Sequence, residues 1–317
     1  MILVNGGKGI GTGFSTDILS YDPLMLLEYL ESLLKLENKD ETFTPFYKGF
    51  QGSCAPVEGK KYIVKGKYTK IASNKIRIEE LPIGYWTEDF KQHIENLMEG
   101  DKTKKSKGIV KDYNDMSTDK KVDVEIIFNE PIDESMDPSG MYNKLEKTLK
   151  LYTTQSTNNM HLFNHQEKLS KYSEVEDILN AYVPVRLDYY QKRKDYQIQS
   201  LEKELKLLSN KAKYIDENLK GTIDLRNKKK DVIIKMLEDK SYDKLDDDND
   251  YKYLLKMPMD SVSEENSEKI KQDKENKEKE LETLKSTTIQ QIWLRELSQL
   301  KCELTNSKTI KINKKKN

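Results

Sequence analysis

The sequence predicts an α+β domain followed by a long antiparallel pair of helices, and three observations carry that prediction. Short segments of alternating polar and apolar residues recur from about residue 43 to 128. A proline-free stretch with a seven-residue apolar repeat then follows Pro184, and a second charged, proline-free stretch runs from 263 to 302. The 317 residues are enough for about two domains of ordinary size. Hydrophobic residues make up 35% and charged residues another 35%, so the core must be confined to parts of the chain. The 55 Lys and Arg residues cancel the 55 Asp and Glu residues, which excludes a protein that coats nucleic acid by bulk positive charge. No apolar run approaches the roughly 18 residues of a membrane span, and Met1 to Gly7 lacks the features of a secretion signal. Cys54 and Cys302 are too few and too far apart for a disulfide scaffold or a Cys-based zinc site. The chain reads as soluble and intracellular.

Met1 to Val4 is a short apolar run leading directly into glycine, and reads as a strand stump. Gly6, Gly7, Gly9, Gly11 and Gly13 then call for an irregular turn over Asn5 to Gly13. A helix follows, with Asp22 as cap and Pro23 at the first position. Leu24, Leu27, Leu30 and Leu34 supply its apolar face. Tyr62-Ile63-Val64, Lys75 to Ile78 and Val122 to Ile126 alternate as strands of a half-exposed sheet, and Asn159 to Phe163 alternates in the same way. Between them, Glu88 to Met98 has the pattern of one amphipathic helix.

After Val175 the period becomes helical. Ile198, Leu201, Leu205, Leu208, Ala212, Ile215 and Leu219 follow at alternating steps of three and four, a heptad seam flanked by Glu and Lys. A helix of about 35 to 45 residues would be roughly 50 to 65 Å long. In the second stretch Ile270, Leu281, Leu284 and Ile292 keep the spacing only partly. Two long helices around residues 228 to 257 predict a pair with a small globular tip carrying an acidic loop, Asp246 to Asp250. The end of the chain, 303 to 317, is rich in Lys and reads as a disordered tail.

Several motifs fail their chemistry. The glycine cluster lacks the Walker A spacing, and Thr12 and Thr16 stand where Gly-x-Gly-x-x-Gly needs glycine. It remains either a tight turn or a nucleotide site of unrecognised pattern. Asp246, Asp248 and Asp250 open like a calcium loop, but Tyr251 replaces the obligatory Gly and Met257 the bidentate Glu. His161 and His165 have i, i+4 spacing on a strand-like segment, which parts their rings, and no HExxH occurs. None of the five arginines directly precedes any of the 18 tyrosines, so no tyrosine nucleophile with an adjacent cation is readable. By itself the heptad seam indicates a spacer.

Taken together, the motifs resemble the eukaryotic-type DNA topoisomerase II family of type IIA topoisomerases. Leu3-Val4-Asn5-Gly6-Gly7-Lys8-Gly9-Ile10-Gly11-Thr12-Gly13-Phe14-Ser15 is similar to that family's Asn-Gly-x-x-Gly-Ile-Gly-Thr-Gly-aromatic-Ser segment. Pro45 to Gly52, Glu80 to Thr87, Asp177-Ile178-Leu179, Arg186 to Lys194, Tyr253 to Pro258 and Lys277 to Leu281 resemble later signatures in the same order, over roughly residues 1 to 300.

The resemblance implies the end of a winged-helix domain with a DNA-bending loop (1–20), a mixed-sheet tower (21–175), and a coiled-coil arm with a helical gate at its tip (176–302, tip about 221–260). It implies that Ile10 inserts between base pairs, with Lys8, Thr12, Ser15, Lys48 and Lys91 as DNA contacts and Lys65 and Lys67 as further phosphate candidates. It implies double-stranded DNA and a second copy of the chain as partners. ATP and Mg2+ belong to the complete enzyme and are not bound by this chain. The Arg-Tyr nucleophile, the Toprim acidic cluster and the ATPase are expected outside it, in cis or in trans. The compartment implied is the nucleus or a viral replication site, with no membrane. Gly84 stands where relatives often carry Arg, Met116-Ser117 replaces an aromatic-His pair, and Phe14 replaces Trp. The competing expectation is a non-enzymatic, DNA-associated coiled-coil scaffold.

Overall fold

The computed structural model describes residues 1–37, 42–100, 108–225, 228–245, 250–258 and 264–313, with side chains of the last helix through 306. The chain divides into two compact units, Met1–Tyr182 and Val183–Asn317.

Unit 1 opens with a one-turn helix α1 (Ile2–Asn5), followed by β1 (Gly7–Ile10), β2 (Ser15–Ile18) and α2 (Pro23–Lys35). Next come β3 (Ser53–Val57), β4 (Lys61–Lys65), β5 (Lys67–Ala72), β6 (Lys75–Glu80), α3 (Thr87–Glu99), β7 (Val110–Asp115) and β8 (Val124–Phe128). The unit continues with α4 (Lys144–Thr148), β9 (Tyr152–Ser156), β10 (Met160–Phe163) and β11 (Leu169–Tyr172). Among the described residues these strands form four sheets, ordered β1-β2, β3-β4-β9, β5-β6-β8-β7 and β10-β11, and every pair is antiparallel, which corrects the expected mixed sheet.

The four-stranded sheet holds the densest core. Ile76 and Ile78 on β6 face Ile126 and Val124 on β8, and all four are fully buried under Phe90 and Ile94 of α3. Each such side chain contributes roughly 1.5 to 3 kcal/mol by leaving water. The opposite face is charged and only half covered, with Asp123 buried among its ion pairs. Arg77 donates two 2.6 Å hydrogen bonds to Asp123, and Lys75 lies 2.7 Å from Glu125. As expected, α2 begins at Pro23, and Asp22 accepts a hydrogen bond from the Leu24 N–H.

Two sequence expectations are corrected here. Residues 2–5 form a helical turn rather than a strand stump, because the Met1 carbonyl accepts from both Val4 and Asn5. Leu3 is buried beneath it, and its carbonyl accepts the Tyr21 N–H at 2.8 Å. Residues 7–10 form a regular strand rather than an irregular turn. A Cβ on Gly7 would lie 2.7 Å from Ile2 Cδ1, the movable end of a side chain, and one on Gly9 would make an ordinary 3.5 Å contact with Thr16. On Gly6, at φ +68°, it would lie 2.9 Å from the Ile18 carbonyl.

Helix α5 runs over Val175–Leu219 with Pro184 inside it, and so belongs to both units. In unit 2 it is followed by α6 (Lys230–Asp239), α7 (Lys252–Leu255), α8 (Glu264–Ser286) and α9 (Ile289–Asn313). Contacts descend along one helix as they ascend along the other, so α5 runs antiparallel to α8 and α9. Tyr190 stacks on Trp293 at 5.4 Å, Lys285 pairs with Glu202, Lys277 with Glu204, and Lys271 with Asp216. Leu201, Ala212 and Ile215 of the heptad seam are buried. The tip core is formed by Tyr214, Ile223, Leu237, Tyr242, Tyr251 and Leu254.

The stretch from 264 to 302 is two helices, not one. Thr288 Oγ1 accepts from the Gln291 N–H at 3.2 Å while Gln291 Oε1 accepts from the Thr288 N–H at 3.0 Å. This capping box starts α9 afresh. Lys194 of α5 donates to the Lys285 and Thr287 carbonyls, filling acceptors left open where α8 ends. The expected disordered tail is corrected in part: α9 continues through 303–313, since no Gly or Pro follows Pro258 and Lys is a good helix former. Residues 314–317, Ser263 and the acidic positions 246–249 lie outside the described residues.

Candidate functional site

The β1–β2 hairpin of unit 1 carries two exposed apolar side chains, Ile10 and Phe14, on either side of its turn. Its register pairs Gly7 with Ile18, Lys8 with Asp17, Gly9 with Thr16 and Ile10 with Ser15. Paired residues in an antiparallel ladder share a face, so Lys8, Ile10, Ser15 and Asp17 stand on one side. Gly7, Gly9, Thr16 and the buried Ile18 stand on the other. The Gly11 N–H closes the turn by donating to the Phe14 carbonyl at 2.9 Å, and Gly13 supplies φ +93°. Thr12 is exposed within that turn. Ile10, the last strand residue before it, is 87% exposed, and Phe14 across the turn is 42% exposed. A β-branched side chain left this far in water gives up its burial energy, which makes it a feature to explain.

The strand beneath holds the hairpin in place. The Asp17 N–H donates to the Asn159 carbonyl at 2.8 Å, and the His161 N–H donates to Thr16 Oγ1 at 3.2 Å. Asn159 Nδ2 donates to Ser15 Oγ at 2.8 Å, and Asn159 Oδ1 lies 2.9 Å from His161 Nδ1. His161 is thus part of the hairpin's support, and His165 lies in the turn after β10. Among the described residues no three His, Cys, Asp or Glu side chains converge as a metal site.

The proposed cations divide by partner. Lys8 is 73% exposed and lies 3.5 Å from Asp17, a surface pair worth at most about 1 kcal/mol, so it can change partners cheaply. Lys48 is exposed in the Tyr47–Phe50 turn. That turn is tied to the end of the hairpin by reciprocal 2.8 Å bonds: the Phe46 N–H donates to the Ser20 carbonyl and the Ser20 hydroxyl to the Phe46 carbonyl. Burial pushes the neighbouring Tyr47 phenol up to about 12, so it stays protonated at neutral pH. The other lysines are engaged. Lys65 bonds Glu146 at 2.8 Å and Lys67 bonds Glu79 at 2.7 Å. Lys91 lies 2.8 Å from Asp115 and 3.4 Å from Glu88. The bond to Asp115 raises the Lys91 pKa, and the same bond holds the Asp115 carboxyl down at about 2. Lys91 belongs to the helix over the four-stranded sheet and is not among the residues gathered at the hairpin.

Sequence reasoning missed Asn159, which is 144 residues from its partner Ser15. It also missed the hairpin, although the alternation Gly7-x-Gly9-x-Gly11 has the period of a strand with one close-packed face.

The family profile for the A-subunit of DNA gyrase/topoisomerase IV matches residues 1–298. The DNA topoisomerase 2 of Penicillium chrysogenum is 32% identical over 325 residues, covering 94% of this chain and 20% of that protein. That of Acanthamoeba polyphaga mimivirus is 30% identical over 360, covering 94% and 28%. A crystal structure of the Plasmodium falciparum topoisomerase II DNA-binding, cleavage and re-ligation domain is similar at a TM-score of 0.77 and 30% identity, covering 97% of this chain and 45% of that one. The chain spans between a fifth and some three-tenths of the length of these curated relatives.

Proposed function

We infer the role of this chain from one premise: it belongs to the DNA gyrase/topoisomerase IV A-subunit family. On that premise we propose that it is the C-terminal part of the DNA cleavage and re-ligation core of a type II topoisomerase. Residues 1–20 would be the DNA-bending loop and end of the winged helix, and 21–175 the tower. Residues 176–302 would be the coiled-coil arm and its gate, with the tip at about 221–260. The complete enzyme would pass one duplex through a transient break in another, using ATP and Mg2+. The nucleophilic tyrosine, the acidic metal cluster and the ATPase are assigned to residues outside this chain, in cis or in trans. A second copy of the chain would close the exit gate. Relatives from a fungus and a virus support a nuclear or viral replication site.

The exposure of Ile10, 87% at the end of a braced hairpin, carries this reading. The side chain would wedge between two base pairs while Lys8, Thr12, Ser15 and Lys48 meet the flanking phosphates. Lys91 would act as an outlying contact that trades Asp115 for phosphate. Unstacking a step costs a few kcal/mol, offset when the bent duplex meets more protein surface. Phosphate contacts carry no sequence information, as a passage enzyme requires. A short duplex labelled at both ends tests the wedge by energy transfer. The full chain should raise transfer, while Ile10→Gly and Ile10→Ala should bind within about threefold and lose most of the bend. Unchanged transfer in both variants would overturn the reading.

A further inference from the structure

Most lysines of unit 2 are tied to carboxylates or carbonyls, but three that are not meet in one place. A groove of about 620 Å³ is lined by Lys211 of α5, Lys252 and Lys256 at the two ends of α7, and Lys269 of α8, with Asp273 as the carboxylate facing them among the described lining. Lys211, Lys256 and Lys269 have no carboxylate partner among the described residues. Lys252 is 4.0 Å from Asp250, whose carboxylate is already held by Lys230 at 2.5 Å. Asn266, Lys269, Ile270 and Asp273 are spaced i, i+3, i+4, i+7 and so share the face of α8 that lines the groove. Three separate elements therefore bring four ammonium groups and one carboxylate to the lining of one concavity, an excess of positive charge that favours an anion there.

We propose that this groove is a second, sequence-independent contact for the phosphate backbone of duplex DNA, remote in sequence from the Ile10 hairpin. The inference rests on the proposed function for its choice of polyanion. Lysine ammonium groups suit this role as hydrated point charges that impose no fixed geometry on the phosphates they meet. The alternative occupant, the acidic 246–250 segment of a second copy, is an outcome of the test.

The test compares the wild-type chain, the triple variant Lys211→Glu/Lys256→Glu/Lys269→Glu and its milder Gln counterpart. A charge-matched control carries Lys206→Glu/Lys229→Glu/Lys235→Glu, three exposed lysines outside the groove. Duplex affinity is read by fluorescence anisotropy across a KCl series, and mass by sedimentation. Each lost phosphate contact lowers the slope of log K against log[KCl] by about 0.9. The groove variant should therefore lose about 2.7 in slope and on the order of tenfold or more in affinity, the Gln variant should follow it, and the control should keep the wild-type slope. Equal slopes in groove variant and wild type would overturn the inference, as would an equal loss in the control. So would loss of dimer mass in the groove variant with duplex binding intact, which would give the groove to the acidic segment. A wild-type chain without salt-dependent duplex binding is a different failure, that of the proposed function itself.

Discussion

The four-stranded sheet of unit 1 and the helix pair of unit 2 hold themselves together by opposite means. The sheet buries Ile76, Ile78, Phe90, Ile94, Val124 and Ile126 completely. The helix pair has a seam in which Leu201, Ala212 and Ile215 are buried while Ile198, Leu205 and Leu208 are only half covered, and it adds cross-helix ion pairs such as Lys285–Glu202 and Lys277–Glu204. Exposed ion pairs contribute about 0 to 1 kcal/mol each, far less than a buried aromatic ring. A wedge that forces base pairs apart needs a stiff base, and a dense core provides stiffness because it cannot deform without opening voids. A thin seam with replaceable polar links lets helices shift at low cost. The contrast therefore separates the part suited to bearing load from the part suited to movement.

The molecule carries its own probes for this contrast, since its two tryptophans are Trp86 in unit 1 and Trp293 in unit 2. Trp86 is 74% exposed just before α3, and Trp293 is 3% exposed against Tyr190. Trp293→Phe and Trp86→Phe backgrounds then report each unit separately during urea unfolding. The largest effect should come from Phe90→Ala, which empties the centre of the sheet core and should cost about 3 to 5 kcal/mol. That loss should appear in the Trp86 transition and leave the Trp293 transition within about 0.5 kcal/mol. Equal shifts in both would mean that the two units unfold as one, and the contrast would collapse.

The next effect belongs to unit 2. Thr288→Ala removes the capping box that begins α9 and should cost about 0.5 to 2 kcal/mol, read in the Trp293 transition. Thr288→Ser should restore most of it, because the hydroxyl acceptor returns. A Thr288→Ala variant as stable as wild type would show that the contacts α5 makes here, the Tyr190–Trp293 stack and the Lys194 bonds among them, anchor this end of the pair without the cap.

What the residues revealed in advance follows from the range of the forces involved. Asp22-Pro23 marked the start of α2 because a cap and its N–H groups are neighbours in sequence. Glu88 to Met98 gave α3, and the alternation around Ile76 and Val124 gave the sheet, because one-sided burial imposes its period locally. The Thr288-x-x-Gln291 box was equally local and was legible, yet the partial heptads around it drew the reading toward a single helix. The hairpin left only one local signal, the Gly7-x-Gly9-x-Gly11 alternation. Gly6, at its entry, is required by a positive φ and the Ile18 carbonyl, and its brace, Asn159, comes from 144 residues away. The role proposed for Ile10 rests on the resemblance of residues 3–15 to a family motif, whereas the lysine groove, assembled from α5, α7 and α8, has no contiguous signal in the sequence.

The smallest effect tests the boundary between scaffold and DNA contact, at Lys91. Asp115 owes its pKa of about 2 chiefly to the hydrogen bond from Lys91, against about 3.9 for an unstructured Asp. A carboxylate whose pKa is depressed on folding adds stability that is fully present above the unfolded value and fades as pH falls toward the folded one. The stability gap between wild type and Asp115→Asn, read at Trp86, should therefore be constant from pH 7 to about pH 4 and close between about pH 4 and pH 2. A gap that persists at pH 2 would assign the effect to packing rather than to the charge. The same substitution frees Lys91 from the stronger of its two carboxylates. If that ammonium trades Asp115 for phosphate, Asp115→Asn should tighten duplex binding by about two- to threefold, the size of one released surface pair. Unchanged affinity would return Lys91 to the scaffold and confine the DNA contacts of unit 1 to Ile10 and its immediate neighbours.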